Sequence, residues 1–102
     1  MTKFDELINS LSENDRKIMT IIGRISGSNS KNFTRQTIFK KATNEEQKFV
    51  NDSLENLRKK GLIRYYRKPD NFAVNRDGFI VARKLKEEFR ENNYPFRILM
   101  II

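Results

Sequence analysis

The chain has 102 residues, with 21 Lys and Arg against 13 Asp and Glu and a formal net charge of +8. That length suits one domain with a modest core, and the surplus of cations favours an anionic partner, most often nucleic acid. With no Cys and no His, disulfides, Cys- or His-based metal sites and the usual Ser-His and Cys-His nucleophile arrangements are excluded.

Residues 2–11 place Phe4, Leu7, Ile8 and Leu11 on one helical face, with Thr2 positioned to cap it. Ser12-Glu13-Asn14-Asp15 has the form of a capping box with Asp in the last place. Ile18, Ile21, Ile22 and Ile25 then recur at helical spacing beside Met19, which predicts the first core helix. Gly23 either weakens that helix, by on the order of 1 kcal/mol relative to Ala, or permits a neighbour to approach closely. Ser26-Gly27-Ser28-Asn29-Ser30 is a polar loop. Residues 31–33 predict a short strand, Thr34 a cap, and residues 35–42 a second helix with Ile38 and Phe39 inward.

Thr43-Asn44 turns into a third helix, capped by Asn44, with Glu45 and Glu46 at the positive end of its dipole. Phe49, Val50, Ser53, Leu54 and Leu57 form its buried stripe. Arg58, Lys59 and Lys60 load its last turn, and Gly61 stands where a left-handed cap residue is expected. Leu62, Ile63, Tyr65 and Tyr66 mark a strand, Lys68-Pro69-Asp70-Asn71 a turn, and Phe72-Ala73-Val74 the return strand. Residues 76–92 predict a further helix with the stripe Phe79, Ala82, Leu85 and Phe89. The apolar tail, from Tyr94-Pro95-Phe96 through Ile98 to Ile102, reads as a strand added to a sheet edge or as a segment buried at a subunit contact.

The run Leu57-Arg58-Lys59-Lys60-Gly61-Leu62-Ile63, followed by a short hairpin, resembles the recognition helix and wing of winged-helix proteins. Asn75-Arg76-Asp77-Gly78 is similar to the Thr-x-x-Gly start of the helix after the wing in such families. The resemblance spans roughly residues 12–90. It implies an α+β, mainly α fold: a winged helix-turn-helix with a three-helix core, a β-hairpin wing and an additional C-terminal helix. Residues 1–11 are then an N-terminal extension, residues 12–92 the domain, and residues 93–102 an apolar tail.

The same resemblance implies a transcription regulator that binds double-stranded DNA, acting as a homodimer. Arg35, Lys40 and Lys41 lie on the helix that crosses the DNA backbone, and Arg64, Arg67 and Lys68 on the wing that reaches phosphate or the minor groove. Gln47, Lys48 and Asn51 are the expected base contacts, although Glu46, Asp52 and Glu55 share that helix and repel the backbone. Phe79, Ala82, Leu85, Phe89, Phe96 and Ile98 are the expected dimer surface, setting two recognition helices about one DNA turn, roughly 34–36 Å, apart. A winged-helix protein–protein adaptor and a non-specific, chromatin-like nucleic-acid binder are the alternatives. No catalytic constellation and no Gly-rich phosphate loop occurs in the sequence, so neither an enzyme nor a cofactor is expected. Early charges of both signs and a longest apolar run of residues 98–102 predict a cytoplasmic protein with no membrane partner.

Overall fold

A computed structural model describes residues 3–26 and 32–101, with side chains described as far as residue 88. In chain order the elements are α1 (Lys3–Ser10), α2 (Glu13–Ser26), β1 (Phe33–Thr34), α3 (Arg35–Lys41), α4 (Asn44–Gln47), α5 (Val50–Lys59), β2 (Ile63–Arg67), β3 (Asn71–Val74) and α6 (Arg76–Ile101). The fold is α+β and mainly helical, with one small antiparallel sheet in the order β1-β3-β2. Among the described residues, no helix is long and apolar enough to cross a membrane.

Local chemistry sets most boundaries. The Ser12 hydroxyl accepts from the Asp15 amide at 3.1 Å, opening α2. Thr34 accepts from the Thr37 amide at 3.2 Å, opening α3. The end of α5 is a Schellman motif: the Leu62 amide donates to the Leu57 carbonyl at 3.1 Å and the Gly61 amide to the Arg58 carbonyl at 3.0 Å. Gly61 has φ +77, a left-handed conformation that a side chain disfavours. Leu57 and Leu62, the apolar pair of that motif, are both fully buried.

Three expectations need correction. The helix predicted from residue 44 is two helices, and its cap is Thr43, not Asn44. Thr43 accepts from the Glu46 amide at 3.2 Å, while its own amide donates to the Glu46 carboxylate at 2.8 Å. At Lys48 and Phe49 the amides donate three residues back, and Phe49 leaves the helical region at φ −119. The short turn lets both Phe49 and Val50 face the core, which an unbroken helix does less well for adjacent residues. The strand predicted over 31–33 lies at Phe33–Thr34. The last helix does not end near residue 92 but continues to Ile101 through Pro95, so the tail is helical and not a strand. A helix satisfies its backbone groups within the segment, at the loss of one hydrogen bond to Pro95, whereas an added strand needs a sheet edge to pair with. The Thr2 cap falls outside the described residues.

The core gathers Ile8 and Leu11 with Ile18, Met19 and Ile22 of α2, Ile38 of α3, and Val50, Leu54 and Leu57 of α5, closed by Phe72 from the sheet and Val81 and Leu85 from α6. Each such side chain contributes about 1.5–3 kcal/mol by leaving water. Gly23 of α2 faces Ala82 of α6, where an added Cβ would stand 2.9 Å from the Ala82 methyl, so the close-approach reading of Gly23 holds. At the other end of this packing, the Asn75 amide donates to the Leu62 carbonyl at 2.9 Å. A Cβ on Gly78 would meet that same carbonyl oxygen at 2.1 Å, which explains a glycine in the first turn of α6.

Candidate nucleic-acid interface

The charged face is assembled around Arg35, the first residue of α3. Its Nε donates to Asp70 Oδ1 at 3.1 Å, its Nη2 to the Pro69 carbonyl at 3.2 Å and its Nη1 to Asn51 Oδ1 at 2.7 Å. The Arg35 amide also donates to the Asp70 carbonyl at 2.9 Å, and the guanidinium lies 5.3 Å from the Phe72 ring centroid. One side chain, only 23% exposed, therefore pins the β2–β3 turn and the start of α5 to the start of α3. A planar fork of five donors suits this work, and an ammonium would not replace it.

Beneath the bracket, three rings cross the sheet. Phe33 is paired with Phe72 and Phe72 with Tyr65 in the strand register. The rings stack with centroids 5.5 Å and 5.0 Å apart. Phe33 and Phe72 are buried and Tyr65 half-buried, so the row ends at the surface. There Arg58 of α5 and Lys68 of the turn each stand 5.5 Å from the Tyr65 centroid. Glu55, Arg58, Tyr65, Lys68 and Pro69 line an open cleft of about 370 Å³ between α5 and the hairpin. Glu55 and Arg58 are paired through both nitrogen arms, including an Nε to Oε2 bond of 3.2 Å. The hydrogen bond from Arg58 holds the Glu55 carboxyl below its ordinary pKa, with the nearby charges adding to it, and the same bond raises Arg58.

The expected base contacts are exposed, yet each has an intramolecular partner. Gln47 Nε2 donates to the Phe39 carbonyl at 2.9 Å, closing the end of α3 over α4. Lys48 pairs with Glu45 at 3.4 Å, and Asn51 is held by Arg35. The carboxylates expected to repel DNA are also occupied: Glu46 in the capping box and Glu55 by Arg58, with Asp52 left exposed.

Of the expected backbone contacts, Arg35 belongs to the bracket. Lys40 and Lys41 are exposed at the far end of α3, where they suit the negative end of its dipole. Arg64 turns back along the sheet to Asn75 Oδ1 at 2.5 Å and the Val74 carbonyl at 3.4 Å; both partners are neutral, so its charge persists. Arg67 lies 5.8 Å from the exposed ring of Tyr66. Among the described residues, no ion pair includes Arg64, Arg67 or Lys68.

The expected dimer stripe divides. Leu85 is buried, and Phe79 and Ala82 pack against the chain's own core, so these three cover α1 and α2 from within. The side chains of Phe89, Phe96 and Ile98 lie outside the described residues. Arg58, Tyr65 and Tyr66 were not singled out as site residues by spacing alone. The signal for the two tyrosines is the run Arg64-Tyr65-Tyr66-Arg67-Lys68, in which two adjacent aromatics are flanked by cations. No family model matches this chain, and neither curated proteins nor solved structures give a significant match.

Proposed function

We propose that the chain is a winged-helix DNA-binding protein, a transcription regulator that engages duplex DNA with α3, α5 and the β2–β3 hairpin. The observation that carries this reading is the Arg35 bracket. It holds α5 and the hairpin turn against one helix end, while Arg64, Arg67 and Lys68 on that hairpin enter no ion pair among the described residues. Cations arranged this way on a preset frame suit a phosphate backbone, where counterion release supplies affinity. The net charge of +8 favours the same partner.

A second copy would join through the distal part of α6. The helix has 26 residues, about 39 Å at 1.5 Å per residue, and Leu85 is its last described residue in the core. Phe89, Phe96 and Ile98 follow on that distal part, where a two-fold pairing would bring identical segments of two copies together.

Sequence-independent binding is the second reading. Gln47, Lys48 and Asn51 each already hold an intramolecular partner, and base readout must exchange those bonds for bonds to base edges. Selection of bound duplexes from a random pool separates the two. A regulator returns a two-part consensus, and Asn51→Ala relaxes it at one position by about 1–3 kcal/mol of discrimination. Bound duplexes without a consensus favour the second reading, and failure to bind any duplex at low salt overturns both.

A further inference from the structure

We propose that the hairpin is also a stacking platform for unpaired nucleotides, so that the protein binds single-stranded nucleic acid, or duplex next to a single-stranded tail, better than blunt duplex. Tyr66 is 55% exposed, the large apolar side chain that the described surface leaves open. It does not stand alone. Tyr65 and Tyr66 are neighbours on β2 and so present their rings on opposite faces of the hairpin. Each ring has cations beside it: Arg67 at 5.8 Å from Tyr66, and Arg58 and Lys68 at 5.5 Å from Tyr65.

Phosphate in a duplex has no use for these rings, because its bases already stack on one another. An unpaired nucleotide offers a free π-face and a phosphate together, which is what an aromatic with an adjacent cation can hold. The cleft beside Tyr65 holds Arg58, Lys68 and Glu55, two cations against one carboxylate, and its roughly 370 Å³ suits a unit the size of a nucleotide. Tyr65 is stacked on Phe72 at 5.0 Å and has Arg58 and Lys68 over its ring, so that ring is already covered and fixed in place, and Tyr66 offers the open one. Charge complementarity therefore selects a polyanion, and the open ring of Tyr66 selects one with unstacked bases. This platform does not depend on the duplex reading.

The test uses the full chain and fluorescence anisotropy at one salt concentration. Four probes are compared: a blunt duplex, the same duplex with an unpaired tail, that duplex with a tail of equal length made of abasic sugar-phosphate, and the tail as a free oligonucleotide. The base-bearing tail tightens binding by roughly 5- to 150-fold for one stacked base, and the abasic tail falls well short of it. Tyr66→Ser removes a large part of that gain, and any loss of affinity for blunt duplex is the smaller of the two effects. Tyr66→Phe, which keeps the ring, retains the gain. Because Tyr66 is exposed, both variants keep the fold, as a thermal melt will verify. Equal gains from base-bearing and abasic tails, or a gain untouched by Tyr66→Ser, overturn the proposal. Binding of the free oligonucleotide without binding of blunt duplex upholds it and overturns the duplex reading instead.

Discussion

Two stretches of the chain are rich in Lys and Arg and contain no acid, residues 16–44 and 56–69, and the fold puts them to opposite uses. In the first, the arginines at its two key positions turn inward. Arg16 donates to the Ile8 carbonyl at 2.9 Å and so ties α1 to α2. Arg35 spends its guanidinium on Asp70, Pro69 and Asn51. In the second, Arg64 meets only neutral oxygens, and Arg67 and Lys68 lie beside aromatic rings. Neither arrangement cancels their charge. Local charge density is the same kind of signal in both stretches, yet it becomes scaffold at Arg16 and Arg35 and exposed field at Arg64, Arg67 and Lys68. What divides them is the partner, and partners are chosen by packing.

Arg35→Ala is the strongest way to break this contrast. Hydrogen bonds to a charged group are worth about 1.5–3 kcal/mol each at best, and exposure of Asp70 discounts its share. A loss of about 2–3 kcal/mol in urea unfolding is expected, with weaker binding to every duplex because the hairpin turn is no longer pinned. Arg35→Lys recovers little of it. If Arg35→Ala lowers DNA affinity with no change in stability, Arg35 is a phosphate contact after all and the two stretches act alike.

The converse is Arg67→Ala with Lys68→Ala. Stability stays within about 0.5 kcal/mol, as for surface changes in general, while the slope of log affinity against log salt falls by roughly one to two units. An unchanged slope in the folded double variant takes the hairpin out of the interface.

The smallest expected effect belongs to Glu55 and Arg58, the one acid–base pair inside the second stretch's field. Because the folded carboxyl titrates below its ordinary value, its contribution is present at neutral pH and is lost as pH falls through the folded-state pKa. Wild type should therefore exceed Glu55→Gln slightly in melting temperature at neutral pH, and the gap should close in acid. A gap that is constant across pH means that the pair adds nothing through charge.

What the sequence determined by itself was whatever closes within a few residues. Thr34 capping α3, Ser12 opening α2, Gly61 ending α5 and the apolar stripes of α2 and α5 are all relations across three to five positions, and such relations show as spacing. Tertiary structure decided the rest. Arg35 and Asp70 meet across 35 residues, and nothing local distinguishes that arginine from Lys40 or Lys41. The break at Lys48 and Phe49 answers to the core they border, not to any helix breaker in the sequence. Ala82 and Leu85 read from the sequence as part of a dimer stripe; Gly23 opposite Ala82, and the burial of Leu85, place both against the chain's own core. An apolar stripe states that a face must leave water, but only the finished packing says which surface removes it.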